Sequence, residues 1–490
     1  MIPRSTPTPS AEVTIDRRIW PIIAMICLFG WLVIKEVSLP SSLLAVFAGI
    51  GLLAMMVVGL QSPEIPLYVL IAYLPFSRVL VGDFGTQATA FNLTNVISLW
   101  VLVAYCLKQN TRGRSLFQGT PLNRMILLFA GLGAVSLLRA GWTYGSWYLL
   151  ELITPLKRWL TPIFFYFLTL WVVRERSVLK TVVILIMVTV AVVGAMATWD
   201  YMQVGEGTSL EHARIGGIAE NPNTLGAFFN YYMFLLLGFF LVYPKMDLRR
   251  WLILVPFVIC FRGIMVTFSR GAYLAFATGS LAACFFHRKL LFGVAAAGLV
   301  FLALNPWFLP PGIQYRLGMT VVERPVSLEQ DVTETLEASA ATRIEIWRGA
   351  VKMIRDYPLW GVGYGAFPAY IGGYTGGKAI QRDAHNSYLL IAAEMGLPTL
   401  LVFLLVLAMV AHYTRWLYRH TADRFLKATA LGFLAGLYAL VVANMFGSRM
   451  DAQEVTGYFW MLAGVVMRAV LLEKQGHGTR DTGHGRRRLA

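Results

Sequence analysis

Leu225–Tyr243 reads LGAFFNYYMFLLLGFFLVY, nineteen residues without a charge. At 1.5 Å per residue a helix of that length covers roughly 28 Å, close to the ~30 Å hydrocarbon core of a bilayer. Its apolar residues do not alternate, so it is not a barrel strand. In lipid the backbone must satisfy its own hydrogen bonds, which leaves a helix. Stretches of the same kind flank it at Ser42–Leu60, Leu179–Trp199, Leu290–Phe308, Tyr388–Ala411 and Lys427–Phe446. Shorter ones lie at Ile19–Ile34, Pro66–Val81, Phe91–Leu107, Asn123–Leu138, Thr161–Val173, Trp251–Phe268, Gly271–Phe286 and Thr456–Leu472. The pattern predicts an all-α polytopic membrane protein with about 12–14 transmembrane helices.

Composition excludes the soluble classes. Of 490 residues 57% are hydrophobic and only 14% charged, yet 42 Lys+Arg against 26 Asp+Glu leave a formal charge of +16. A mean hydropathy of +0.62 is too high for a water-soluble nucleic-acid binder, so no nucleic-acid partner is expected. Membrane lipids are the expected surroundings. Sorting basic residues into alternate loops places 25 Lys+Arg and 8 acidic residues on one side, and 17 and 18 on the other. By the positive-inside rule the first side is cytoplasmic, both termini lie there, and the excess charge is topological. The first apolar run follows Arg17 and Arg18 and leads into Lys35 and Glu36 without a small-residue cleavage site, which reads as an uncleaved signal anchor. Cys27, Cys106, Cys260 and Cys284 all fall in apolar runs, so neither a disulfide framework nor a Cys metal site is proposed.

The expected organisation is a cytoplasmic tail (residues 1–18), an N-terminal transmembrane bundle (19–308), a large outer loop (309–386), C-terminal transmembrane helices (387–472) and a basic cytoplasmic tail (473–490). The loop is too long for a mere connector. Within it Thr342-Arg-Ile-Glu345 has the form of a capping box, and Ile344, Trp347, Val351 and Ile354 follow at spacings of three and four. This predicts an amphipathic helix that lies on the outer membrane surface or lids the bundle.

Residues able to do chemistry crowd the outer face. Of seven histidines, His212 and His385 fall there. His385 sits in Arg382-Asp-Ala-His385-Asn386-Ser-Tyr388, ahead of a run containing Glu394. Neutral imidazole is suited to take a proton from a sugar hydroxyl near neutral pH; a satisfied interfacial histidine is the alternative. Arg270 stands in a turn between two apolar runs and Arg262 lies eight residues earlier, within about 80° on one face if a helix continues that far. Arginine at such depth is costly and marks sites. Arg214 opens a third group that ends Glu-Asn221-Pro-Asn223, where Asn223 is a plausible N-cap and a helix N-terminus offers N–H groups to an anion. Several arginines facing a helix N-terminus suit a diphosphate. Gly361-Val-Gly363-Tyr-Gly365 lacks the strand–turn–helix context of a nucleotide loop and reads as a flexible turn. No metal-binding pattern is present, and no metal or other cofactor is expected.

Taken together these groups resemble the O-antigen ligase and polymerase superfamily of bacterial inner-membrane glycosyltransferases. The resemblance rests on Arg214…Asn221-Pro-Asn223, Ser269-Arg270-Gly271-Ala272, Ile346-Trp347…Tyr357-Pro-Leu-Trp-Gly361-Val-Gly-Tyr-Gly365 and His385-Asn-Ser-Tyr388-Leu…Glu394-Met-Gly-Leu-Pro398. It covers residues 214–406 best; the first ~200 residues match only as generic membrane helices. It implies a GT-C-like architecture and an enzyme that moves a glycan from undecaprenyl diphosphate to an acceptor hydroxyl, such as a lipid A-core sugar, on the periplasmic face without metal or nucleotide. It assigns Arg214 and Arg270 to the diphosphate and His385 to general base, leaving Arg262, Asn221, Asn223, Arg382, Asn386, Tyr388 and Glu394 as candidate substrate-binding residues. Ligases typically have twelve spans, which this sequence exceeds. A polymerase or a protein-glycosylating relative is the alternative within the superfamily, and a secondary transporter the alternative outside it.

Overall fold

The structure, a computed structural model, describes residues 15–34, 51, 53–80, 92–111, 113, 115–205, 213–318, 338–449 and 452–485. Among them no strand occurs, and the protein is an all-α polytopic membrane protein. The principal helices are α1 (Ile19–Ile34), α2 (Glu64–Tyr73), α3 (Leu93–Thr111), α4 (Pro121–Tyr144), α5 (Ser146–Val172) and α6 (Arg176–Met202). Then come α7 (Pro222–Val242), α8 (Leu248–Met265), α9 (Arg270–His287), α10 (Lys289–Leu304), α11 (Pro311–Gly318) and α12 (Ala338–Asp356). The last are α13 (Phe367–Tyr374), α14 (Ser387–Met395), α15 (Leu397–His420), α16 (Arg424–Ala443) and α17 (Gln453–Gly485).

Among the described residues six helices are long and apolar enough to cross a membrane: α4, α6, α7, α15, α16 and the first part of α17. Others expected to cross are shorter or interrupted. Helices α1, α2 and α10 are apolar but brief, and α5 carries Lys157, Arg158 and two internal prolines. The expected segment Ser42–Leu60 lies largely outside the described residues.

Helix α7 is the hub, packed against α6, α8, α9, α16 and α17. Its apolar stretch is 78% buried and that of α17 89%, against 39% for α4 and 33% for α15, which face outward. Close approach of α7 and α16 depends on small residues. A Cβ at Gly432 would stand 2.4 Å from the Phe234 carbonyl oxygen, and one at Gly436 2.3 Å from that of Tyr231. This is small-residue packing, which serves where no hydrophobic effect drives helices together. Trp20, Trp142, Leu290 and Phe301 stay exposed, as lipid-facing side chains do. At the end remote from His385, ion pairs Lys180–Asp423 (2.9 Å) and Arg176–Glu473 (2.9 Å) tie α6, α16 and α17 together.

Four local expectations are corrected. Tyr388–Ala411 is not one helix: α14 stops at Met395 and α15 starts at Leu397. Gly396 between them has φ +86°, and the Leu397 N–H turns to donate to the Pro358 carbonyl at 2.8 Å. Thr342 does not cap its helix, because α12 begins at Ala338. The buried face of α12 is centred on Ile346, Ala350 and Met353; of the expected stripe, Trp347 and Ile354 pack at its edge and Val351 is exposed. That face packs with Val362, Phe367, Ile371, Ala384 and Ala393 in a second, small core beside the main one, so the loop buries its own apolar surface. Finally, the Gly361–Gly365 turn is held and not flexible. Val362 N–H donates to Ala393 O at 2.8 Å and Gly363 N–H to Glu394 O at 2.9 Å, while Arg139 donates to the carbonyls of Trp360 (3.2 Å) and Gly361.

Candidate functional site

The site begins at the junction of α8 and α9. Helix α8 ends at Met265, and α9 restarts at Arg270 after Phe268 takes a left-handed φ of +48°. Arg262 and Arg270 therefore do not share a helix face. Ser269 caps α9 and donates its hydroxyl to Asn223 Oδ1 at 2.8 Å. The same oxygen accepts from Arg214 Nη2 at 3.1 Å, and Arg214 Nε donates to Thr267 O at 3.1 Å. Asn223 thus joins Arg214 to the turn that presents Arg270.

The start of α7 is not open to an anion. Asn221, not Asn223, is its cap: Oδ1 accepts from the N–H groups of Asn223 (2.9 Å) and Thr224 (3.3 Å). Leu225 N–H bonds to Asn221 O at 3.0 Å, and Pro222 has no N–H. The donors expected from this helix end are already used. Arginines supply the positive potential instead. A pocket of about 80 Å³ is lined by Arg214, Arg270, Arg316, Arg343 and Asn223. Arg316, from α11, is 6% exposed and donates to Phe268 O at 3.4 Å; Arg343 comes from α12. Four guanidiniums around so small a volume match a multiply charged, oxygen-rich anion.

His385 stands beside this pocket in a left-handed conformation, φ +49°. Such a φ is strained for a residue with a Cβ. It is held by the following turn, where Asn386 caps α14 by accepting from Tyr388 and Leu389 N–H at 3.0 and 3.1 Å. The imidazole Nδ1 lies 3.3 Å from Asp383 Oδ2 and its side chain is 42% exposed. Burial lowers its pKa below the ordinary histidine range. Asp383 opposes that shift, and Arg343, Arg449 and Arg382 reinforce it. The result is a neutral imidazole at neutral pH, oriented by a carboxylate.

Sequence reasoning missed Arg316, Arg343 and Arg449. Arg449 is 5% exposed and donates to the carbonyls of Ala443 (2.7 Å), Asn223 (3.3 Å) and Phe446 (3.4 Å). Its Nε is buried with no hydrogen-bond partner, and burial lowers its pKa. Other expected residues serve elsewhere. Arg262 lies with its guanidinium 5.1 Å from the Tyr201 ring centre, away from the arginine pocket. Tyr388 donates to Val441 O at 2.9 Å. Glu394 is buried and accepts from Phe367 N–H at 3.2 Å, capping α13 beneath the glycine turn. Arg382 is exposed on the His385 turn, and His212 lies outside the described residues.

Fold and site together define a polytopic membrane protein that gathers arginines and a neutral histidine at one end of its bundle. Residues 255–404 match the O-antigen ligase family model, which supports the superfamily that the sequence resembles. That segment contains Arg270, Arg316, Arg343 and His385 but neither Arg214 nor Arg449. No curated protein matches the chain.

Proposed function

We propose that the protein transfers a glycan from undecaprenyl diphosphate to an acceptor hydroxyl, with a lipid A-core sugar as acceptor, at the periplasmic face of a bacterial inner membrane. The observation that carries this reading is the arginine pocket beside a neutral, carboxylate-oriented histidine, at the end of a bundle whose residues 255–404 match the O-antigen ligase family. Arg214 and Arg270 bind the diphosphate, with Arg316 and Arg343 completing the cradle. His385 takes the proton of the acceptor hydroxyl as its oxygen attacks the anomeric carbon. The bond from that carbon to the diphosphate oxygen breaks, and the electron pair leaves on the diphosphate, stabilised by the guanidiniums. Direct displacement inverts the anomeric centre. The diphosphate is already a good leaving group, so positioning, charge stabilisation and one base suffice. Asn221 and Arg382 are the remaining substrate contacts in this scheme.

The test is purified protein in liposomes with undecaprenyl-diphosphate-linked glycan and lipid A-core. Glycan joined to the core with inverted anomeric configuration supports the reading. Transfer only to a second carrier-linked glycan makes the protein a polymerase, and substrate counterflow without any glycan transfer makes it a transporter.

A further inference from the structure

At the opposite end of the bundle from His385 a pair of arginines is left unused by the scheme above. Arg468 lies on α17, roughly 22 Å along the helix from its start at Gln453 and about two turns before the span ends at Gln475. It is 6% exposed, its Nε is buried with no hydrogen-bond partner, and among the described residues no carboxylate pairs with it. The groups that act on it electrostatically are Arg174, a like charge, and the Tyr105 phenol. Arg174 follows α5, which packs along α17. Its Nη2 donates to Tyr105 Oη at 2.7 Å and to Ser115 O at 3.0 Å, and its Nε is again buried without a partner. Tyr105 in turn donates to Leu116 O, which fixes the phenol. The carboxylates of this end are engaged by other cations: Glu64 by Lys108 at 3.1 Å, Asp423 by Lys180 at 2.9 Å and Glu473 by Arg176 at 2.9 Å. Two guanidiniums thus share one buried corner to which the described residues bring no anion. A buried charge is costly unless it is paired, and a like charge beside it adds to the cost.

We propose that Arg174 and Arg468 form a head-group site for an anionic phospholipid, in the leaflet at the end of the bundle remote from His385. The site does not depend on the transfer reaction proposed above. Unpartnered donors on two guanidiniums suit an oxyanion with several acceptors, as a phosphate diester is. Arg174 is already positioned by Tyr105 and the Ser115 carbonyl, so binding need not order it. The setting selects a lipid over a soluble anion. Leu107, on the helix that carries Tyr105, and Phe117, in the segment that holds Arg174, are exposed apolar side chains. A dissolved anion would have to leave water for a corner flanked by lipid-facing groups. A phospholipid already carries its phosphate near this depth, and its acyl chains can lie against those same side chains. The long arginine stems bridge the remaining distance.

The test is native mass spectrometry of the delipidated full-length protein titrated with phosphatidylglycerol. The first lipid bound should be held about tenfold more weakly by Arg468→Gln and by Arg174→Gln than by the wild type. Arg288→Gln, at an exposed arginine of the same end, should stay within about twofold of the wild type. An equal loss in all three variants marks a diffuse cationic face and overturns the site, as does no loss in Arg468→Gln and Arg174→Gln. Displacement of the lipid by inorganic phosphate makes the ligand a soluble anion and overturns the lipid assignment. Arg468→Met adds a test of sign. In nanodiscs of phosphatidylcholine alone it should melt about 3 °C or more above the wild type, because an apolar side chain replaces an unpaired buried charge. Including about one-fifth phosphatidylglycerol should raise the wild type by a similar amount and leave Arg468→Met unchanged. If Arg468→Met melts below the wild type in both compositions, Arg468 is paired within the protein and the proposal falls.

Discussion

At His385 a single imidazole carries both the proposed proton transfer and the clearest electrostatic signature of the site. Its lowered pKa keeps it unprotonated below the usual histidine value of about 6.5, so the acid limb of kcat/KM should fall below that pH. The sign of each neighbour follows. Arg343→Gln removes a cation that disfavours imidazolium, so the limb moves to higher pH. Asp383→Asn removes a carboxylate that favours it, so the limb moves lower. Opposite movement, or none in either variant, would remove His385 from the role of base. His385→Ala itself should lower transfer by a factor of at least about 100, with carrier-lipid binding retained in a labelled-lipid assay. Arg214→Ala and Arg270→Ala should instead weaken carrier binding.

At the scale of elements, breaks between helices place the functional groups. Gly396 lets α14 end and α15 begin, and a Cβ there would meet Leu359 O at 2.1 Å. At Gly361, φ +63°, a Cβ would fall 2.3 Å from the Glu394 carbonyl carbon. Gly361→Ala should cost roughly 3 kcal/mol or more and appear as a lower melting temperature in detergent with loss of transfer. These breaks explain what could be read in advance. The start of helix α1 is legible to the residue, because its apolar run opens directly after Arg18. The α14–α15 break was hidden, since hydropathy averages over a φ angle; Gly396-Leu-Pro398 was the available signal. Arg270, Arg214, Asn223 and His385 stood out as polar residues beside apolar runs. Arg316 and Arg343 did not, being two of eight basic residues in one loop whose folding alone brings them to Arg270. Arg449 follows α16 in Asn444-Met-Phe-Gly-Ser-Arg449, a loop with no spacing rule to betray it. The Gly432-x-x-x-Gly436 pair was a readable packing signal that sequence reasoning passed over.

For the molecule as a whole, the charge asymmetry predicts which face meets which compartment. With the four native cysteines replaced, Met246→Cys should react with a membrane-impermeant thiol reagent only from the cytoplasmic side, and Lys378→Cys only from the periplasm. Both positions are exposed, at 97% and 69%. Labelling from the same side at both positions would overturn the topology. The second core has a consequence for traffic through such a site. Prising α12 and its neighbours away would hydrate Ile346, Ala350, Met353, Phe367 and Ile371, and it would also break the bonds from Trp347 to Ala384 O (3.0 Å) and from Tyr144 to Val362 O (2.8 Å). At about 2 kcal/mol for each of the four larger side chains and about 0.8 kcal/mol for Ala350, the apolar cost alone is roughly 9 kcal/mol, a raised population more than six decades below unity. So rare an excursion leaves the second core closed at equilibrium. The second core is masonry, not a hinged door, and in the proposed transfer the substrates reach the arginine pocket around it, not by lifting it.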